Sequence, residues 1–179
     1  MQRVVVVGNS GSGKSTLAAR IAKRIGAPHI ELDAIRHQAD WVELPDEEFR
    51  RVVDARTRAT SWVVDGNYPP VRELVWSRAD AVVWLDRPRH VVMRRIVLRT
   101  VRRLAFRQQL WNGNRERWTN LLSIDPERSV VAWAFRQHEQ YRQTYTRMTR
   151  EHAELEVVRV TDDRGAQRLL RSLDAPPVR

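Results

Sequence analysis

The chain has 179 residues, of which 42% are hydrophobic, enough for one domain with a packed core and small inserted segments, and too apolar for wholesale disorder. Cysteine is absent, which excludes a disulfide scaffold, thiolate zinc sites and cysteine catalysis and fits a reducing compartment. Lys and Arg number 32 against 22 acids, a formal charge of +10, and all but Lys14 and Lys23 are arginines, so the surface attracts phosphates of nucleotides, nucleic acid or anionic lipid.

Met1 to Arg3 lead straight into Val4-Val5-Val6-Val7, a continuous apolar run that reads as a fully buried strand. No apolar run approaches the roughly 20 residues that span a bilayer, and the expectation is a soluble cytoplasmic protein. Residues 8–13 are loop. From Lys14 the period turns helical, with Leu17, Ala18, Ile21, Ala22 and Ile25 on one face and Gly26 as the stop. His29 to Leu32 is a second strand, closed by Asp33. Pro45-Asp46-Glu47-Glu48 opens a helix with acids in its first turn and Phe49, Val52, Val53 and Ala59 on its apolar side. Trp62 to Val64 is a third strand, ending at Asp65-Gly66-Asn67, and a short helix covers Val71 to Trp76. A fourth strand covers Ala81 to Leu85. Asp86 then N-caps a long helix that has Pro88 in its first turn. Val92, Ile96 and Val101 of that helix are expected to pack on the sheet. A polar stretch at 108–117 precedes a long helix from Val130 to Glu151, a fifth strand over Leu155 to Val160, and a last helix over Ala166 to Leu173. The tail after it is expected to fray. Short strands alternating with helices predict a parallel sheet covered on both faces.

Gly8-Asn9-Ser10-Gly11-Ser12-Gly13-Lys14-Ser15 fits G-x-x-x-x-G-K-[ST], directly after a buried strand and at the start of a helix, the context that motif requires. Glycines let successive N–H groups turn inward onto phosphate oxygens, and the helix N-terminus adds partial positive charge. Lys14 reaches the β- and γ-phosphates and the Ser15 hydroxyl ligates Mg²⁺, with Thr16 beside it. A guanine-reading Asn-Lys-x-Asp is missing, and no strand ends in the acidic pair of the larger ATPases, because Gly66 follows Asp65 and Arg87 follows Asp86. Size and these absences favour a small kinase.

Asp65 ends a strand facing Lys14 and Ser15, where a carboxylate can hold the water shell of Mg²⁺, and Gly66 is expected to admit substrate closely. Asp86 is a rival for the metal, read more readily as a helix cap. From Arg87 to Arg107 there are eight arginines and no acid. Arg95, Arg99 and Arg103 form one helical stripe, and three like charges in a line imply an anion between them. The five histidines lack metal-ligand spacing and read as structural. Trp62, Trp76 and Trp84 read as core.

The phosphate loop, Leu32-Asp33 with Trp41, Val64-Asp65-Gly66-Asn67-Tyr68, Leu85-Asp86-Arg87-Pro88, the arginine helix and Trp111-Asn112-Gly113-Asn114-Arg115-Glu116 together resemble the adenylate-kinase-like branch of phosphate-loop kinases. More narrowly they resemble the small proteins known as DNA topology modulation proteins. The resemblance covers about residues 1–145. It implies a three-layer α/β fold, a five-stranded parallel sheet in the order 2-3-1-4-5, and one domain over 1–179. Within that domain an acceptor lobe would span 34–61 and a lid 108–117. It implies ATP and Mg²⁺ as cofactors. Gly8, Asn9, Ser10, Gly11, Ser12, Gly13, Lys14, Ser15 and Thr16 would cradle the phosphates. Arg95 would cover the base, Arg99 would hold the β/γ-phosphates, and Arg115 would swing over the transferring group. Arg103 and Arg136 are lesser candidates. Asp33-Ala34-Ile35-Arg36 is similar to an Asp-x-x-Arg in which the Arg meets the acceptor's phosphate. Asp33 would orient the acceptor or hold a metal-bound water, unless it only caps the next turn. The match lapses after Gly66, where Asn67-Tyr68-Pro69-Pro70 stands and the next arginine is Arg72. Arg36, Arg72 and Trp41 complete the acceptor side. These residues predict phosphoryl transfer from ATP to a small anionic acceptor, a nucleotide above others, by a monomer or weak dimer with no membrane contact. A nucleotide-regulated DNA-binding protein, its footprint the arginine stripe, is the alternative.

Overall fold

A computed structural model describes residues 1–106, 109–114 and 130–174. Five parallel strands lie in the order β2-β3-β1-β4-β5: β1 (Arg3–Gly8), β2 (His29–Glu31), β3 (Trp62–Asp65), β4 (Ala81–Leu85) and β5 (Glu156–Val160). The central strand sets the register, with Val5 opposite Val64 on one side and Val82 on the other. Its four valines are wholly buried, as a strand covered on both faces must be.

Alternation of side chains divides the core into two layers. Val5, Val7, Ile30, Val64, Val82 and Trp84 face α3 (Asp46–Arg56), α4 (Pro69–Trp76) and α6 (Val130–Glu151), packing on Phe49, Val53, Val71, Val75, Trp76, Tyr145 and Met148. Val4, Val6, Val63, Val83 and Leu85 face the opposite way, onto Leu17, Ala18 and Ile21 of α1 (Lys14–Ile25) and Leu169 and Leu170 of α7 (Asp163–Ser172). Trp62, Trp76 and Trp84 are buried in the first layer. Helix α1 ends where Gly26 takes a left-handed conformation and its N–H reaches the Ala22 carbonyl.

Three local expectations are corrected. The second strand stops at Glu31, and Leu32 starts a short helix, α2 (Leu32–Arg36), because Leu32 and Ile35 are spaced to enter the core together. Helix α5 (Arg89–Ala105) begins after Pro88. Asp86 does not cap it: its buried carboxylate pairs with Arg142 of α6 at 3.0 Å and with Arg159 of β5, tying those elements together. Val92 and Ile96 form a separate small cluster with Met93 rather than joining the sheet core, and Val101 is exposed. What Ile96 meets is the phosphate loop, at Gly11.

No helix among the described residues is long and apolar enough to cross a membrane.

Candidate active site

The loop between β1 and α1 curls because its glycines adopt backbone conformations closed to other residues. Gly8 has φ of +153°, and a Cβ there would lie 2.8 Å from both the Leu85 carbonyl and Ser12 Oγ. Gly11 has φ of +76°, and a Cβ would lie 2.5 Å from Ile96 Cγ1. The loop is therefore clamped between β4 and α5. The Ser12 N–H donates to the Asn9 carbonyl at 3.1 Å, and Gly13, also left-handed, caps α1 so that Lys14 opens it.

Beside the loop lies a cavity of about 380 Å³. Ser10, Gly11, Gly13, Lys14, Ser15 and Thr16 form one wall, Glu31 and Asp33 from the carboxyl ends of the sheet form another, and Arg95, Arg99, Arg103 and Trp111 close it. This is where an open parallel sheet binds its ligands. The arginine stripe of α5 thus faces the phosphate loop. Arg99 donates to Ser10 Oγ at 3.1 Å. Arg95 donates to the Ser12 carbonyl at 3.1 Å and is held by Asp163 at the start of α7, which also takes Arg87.

Asp65 is 2% exposed, and among the described residues neither carboxylate oxygen completes a hydrogen bond. Burial pushes its pKa above the usual carboxylate value, opposed by the Lys14 charge and the nearby Ser15 hydroxyl and reinforced by Asp33 and Glu31. His29 Nε2 stands 4.0 Å away. A buried carboxylate beside Lys14 and the Ser15 hydroxyl fits a hard divalent cation such as Mg²⁺, which keeps several waters and takes few protein ligands.

On the acceptor side several expectations change. Arg36 is occupied: it pairs with Glu43 and Asp46 at 2.6 Å each, donates to the Leu44 carbonyl at 2.7 Å and lies over the Phe49 ring. Its guanidinium is thus paired within its own segment. Gly66 does not open space for substrate, since a Cβ there would meet the Leu32 side chain at 3.2 Å. Trp41 is 40% exposed and sits edge-on to His37 rather than lining the cavity, a position Trp111 takes instead. Arg72 Nε donates to Asn67 Oδ1 at 3.1 Å. Arg115 lies outside the described residues, as do 108 and 116–117 of the expected lid. Arg136 is exposed on α6.

Three contributors were not singled out in the sequence. Glu31 lines the cavity. Tyr68 donates its hydroxyl to Asp33 Oδ1 at 2.6 Å. His37 stacks on Trp111 with ring centroids 6.1 Å apart. For Tyr68 the motif Asp-Gly-Asn-Tyr was a signal. For Glu31 the only hint was its place at a strand's carboxyl end.

A parallel 2-3-1-4-5 sheet with a phosphate-binding loop after β1 and basic residues across the cavity defines a P-loop protein with a kinase-like fold. Residues 4–159 match the family described as an AAA domain, AAA_33, and the chain belongs to that family. Among solved structures it is similar to shikimate kinase from Acinetobacter baumannii in complex with shikimate, with a TM-score of 0.55 and 16% identity over 97% of this chain and 90% of that one. Shikimate kinase from Bacteroides thetaiotaomicron gives 0.54 and 15% over 96% and 95%. A gluconokinase from Sinorhizobium meliloti gives 0.48 and 21% over 96% and 95%. At these identities the likeness to the two shikimate kinases is one of fold. No curated protein gives a significant match.

Proposed function

We propose that the protein is a small-molecule kinase that transfers the γ-phosphoryl group of ATP·Mg²⁺ to a hydroxyl of a small acceptor. The observation that carries this reading is the cavity itself, in which the phosphate loop and the α5 arginines face Asp33 and Glu31 across about 380 Å³. In-line transfer asks a protein for positioning and charge neutralisation more than for covalent chemistry. The backbone of Gly8 to Thr16 and the Lys14 ammonium hold the phosphates. Ser15 and Asp65 would hold Mg²⁺, which when bound neutralises phosphate charge. Arg99 and Arg103 would balance charge on the transferred group, with Arg115 as a further donor and Arg95 near the base. Asp33 would receive the acceptor's hydroxyl proton as the acceptor oxygen bonds to the γ-phosphorus and the bond to the bridging oxygen of ADP breaks.

This keeps the adenylate-kinase-like resemblance for the donor side, with 34–61 as the acceptor segment and 108–117 as the lid. A nucleotide as acceptor loses its main support with Arg36, which its own acids occupy; Arg72 remains as the basic residue toward the acceptor. The orientation of the arginine stripe onto the phosphate cavity favours a nucleotide-binding role for it over a DNA footprint. The testing experiment is a coupled ADP-release screen with ATP·Mg²⁺ against nucleosides, nucleoside monophosphates, polyols and small hydroxy acids. At least one class should raise ADP release well above acceptor-free hydrolysis, and a panel without any such acceptor refutes the kinase reading.

A further inference from the structure

Two motif segments that donor chemistry leaves unused, Asn67-Tyr68 and Trp111 to Asn114, converge on one side chain, His37. The Tyr68 hydroxyl donates to Asp33 Oδ1 at 2.6 Å and lies 3.3 Å from His37 Nε2. The phenol proton points to Asp33 Oδ1, and the phenol oxygen can then only accept from His37. Burial and the Asp33 charge hold the phenol's pKa above its usual value, so it remains a donor. The ring proton of His37 therefore sits on Nε2. His37 Nδ1 is buried and has no hydrogen-bond partner among the described residues, which agrees with that tautomer. Asp33 lines the phosphate cavity.

The far side of His37 is built with equal care. Trp111 stacks on its ring at an interplanar angle of 27°. Asn112 Nδ2 donates to the His37 carbonyl at 2.6 Å, across 75 residues of sequence. Asn114, 5% exposed, donates to the Gln38 carbonyl at 2.7 Å and accepts the Trp41 N–H at 2.9 Å. These bonds hold a turn in which Asp40 and Trp41 have φ of +57° and +60°, a conformation side-chain-bearing residues adopt only when their surroundings enforce it.

We infer that Tyr68 and His37 are positioning residues for Asp33: the chain from His37 Nε2–H to Tyr68, and from the Tyr68 hydroxyl to Asp33 Oδ1, fixes the carboxylate so that Oδ2 is turned to the acceptor's hydroxyl, while the 109–114 segment sets His37. The role of Asp33 in this inference rests on the kinase reading; the hydrogen-bond chain does not. Asn112 and Asn114 make the 109–114 segment part of acceptor alignment, linking the phosphate side of the cavity to the acceptor side.

The test has two readouts. Long-range ¹H–¹⁵N spectra of the imidazoles, recorded on the whole protein without ligand, should show His37 in the Nε2–H tautomer and a mixture in Tyr68→Phe, which keeps the ring against Phe49 and loses only the hydroxyl. ADP release, with whichever probe of the nucleoside, nucleoside monophosphate, polyol and hydroxy-acid panel is turned over fastest, should show kcat reduced about 10–100-fold in Tyr68→Phe, up to the cost of a reacting group misplaced by about 1 Å. The reduction should be about 3–10-fold in Asn112→Ala, the scale of one lost neutral hydrogen bond. In both, the KM for ATP and the unfolding midpoint should stay near wild type, a split that general loosening would not give. His37→Gln, whose amide can donate in place of Nε2, should retain more activity than His37→Ala. A wild-type ring in the Nδ1–H tautomer overturns the chain whatever the activity. Wild-type kcat in Tyr68→Phe overturns its role in transfer. The expected tautomer in a protein that no acceptor stimulates refutes the kinase reading and with it the role of Asp33, leaving the hydrogen-bond chain standing.

Discussion

Gly11→Ala tests how α5 seats the phosphate loop. The added Cβ would lie 2.5 Å from Ile96 Cγ1 and 3.0 Å from the Val92 carbonyl oxygen, on a residue with φ of +76°. A left-handed backbone costs an L-residue about 1–2 kcal/mol, and forcing a methyl into a packed contact about 1–3 kcal/mol. Together they predict a loss of about 2–5 kcal/mol, a large part of a domain stability of about 5–15 kcal/mol. At about 2–4 °C per kcal/mol for a chain of this size, the midpoint should fall by about 4–20 °C. Relief can come only by moving α5 off the loop, which carries Arg95 and Arg99 away from Ser12 and Ser10, so ATP·Mg²⁺ should also stabilise the variant less than wild type. Ile96→Ala removes the atoms in the way. Alone it should cost about 2–5 kcal/mol as a cavity in a buried contact. Combined with Gly11→Ala it should be less damaging than the sum of the two by about 1–3 kcal/mol, the steric part, while the backbone part persists. Equilibrium urea unfolding of the four proteins measures the cycle. A Gly11→Ala protein within about 0.5 kcal/mol of wild type, or strict additivity in the double variant, would refute the clamp.

The donor side was legible because a phosphate loop is local: a valine run, three glycines and Lys14-Ser15 specify strand, turn and helix within a short window. The sheet order followed from resemblance, and the strands from apolar runs that only a doubly covered sheet requires. The rest was decided by partners outside the local window. Asp86 before Pro88 looks like a cap until β5 and α6 bring Arg159 and Arg142 to it. The spacing Asp33-x-x-Arg36 gives the reach of the arginine, but Glu43 and Asp46 across the following turn claim it first. Helix α2 is too short to show a period, and its two core residues read equally well as the end of a strand. The Asp-Gly-Asn-Tyr motif marked Tyr68 but not its partners: the contacts of Tyr68 and His37 exist only where the turns after β3 and α2 and the 109–114 segment meet.

Three further outcomes follow from the site. Lys14→Ala should lose most of the stabilisation by ATP·Mg²⁺, which for wild type at one hundred times Kd is about 2.7 kcal/mol, with the ligand-free midpoint nearly unchanged; equal ligand-induced shifts in thermal melts would refute the phosphate assignment. Asp86→Ala should destabilise by about 1–3 kcal/mol in urea unfolding, since it leaves Arg142 and Arg159 without their shared carboxylate, yet leave the Mg²⁺ dependence of ATP binding unchanged; a lost Mg²⁺ dependence would return Asp86 to the metal site. Asp65→Asn should separate stability from function. Burial raises the pKa of Asp65 in the folded state, so between the ordinary carboxylate value and that raised value the folded chain binds more protons than the unfolded one. Stability then falls as pH rises through this window, and above it the full cost of a buried charge is present. Neutral asparagine of the same shape escapes that cost. The ligand-free variant should therefore melt higher than wild type at pH 7, with the gain vanishing as the pH drops below the ordinary carboxylate value, while its stabilisation by ATP loses its dependence on Mg²⁺. Thermal melts across pH, with and without ATP and Mg²⁺, decide it: a ligand-free variant that melts lower than wild type at pH 7 contradicts the buried-charge account, and an intact Mg²⁺ effect removes Asp65 from the metal site.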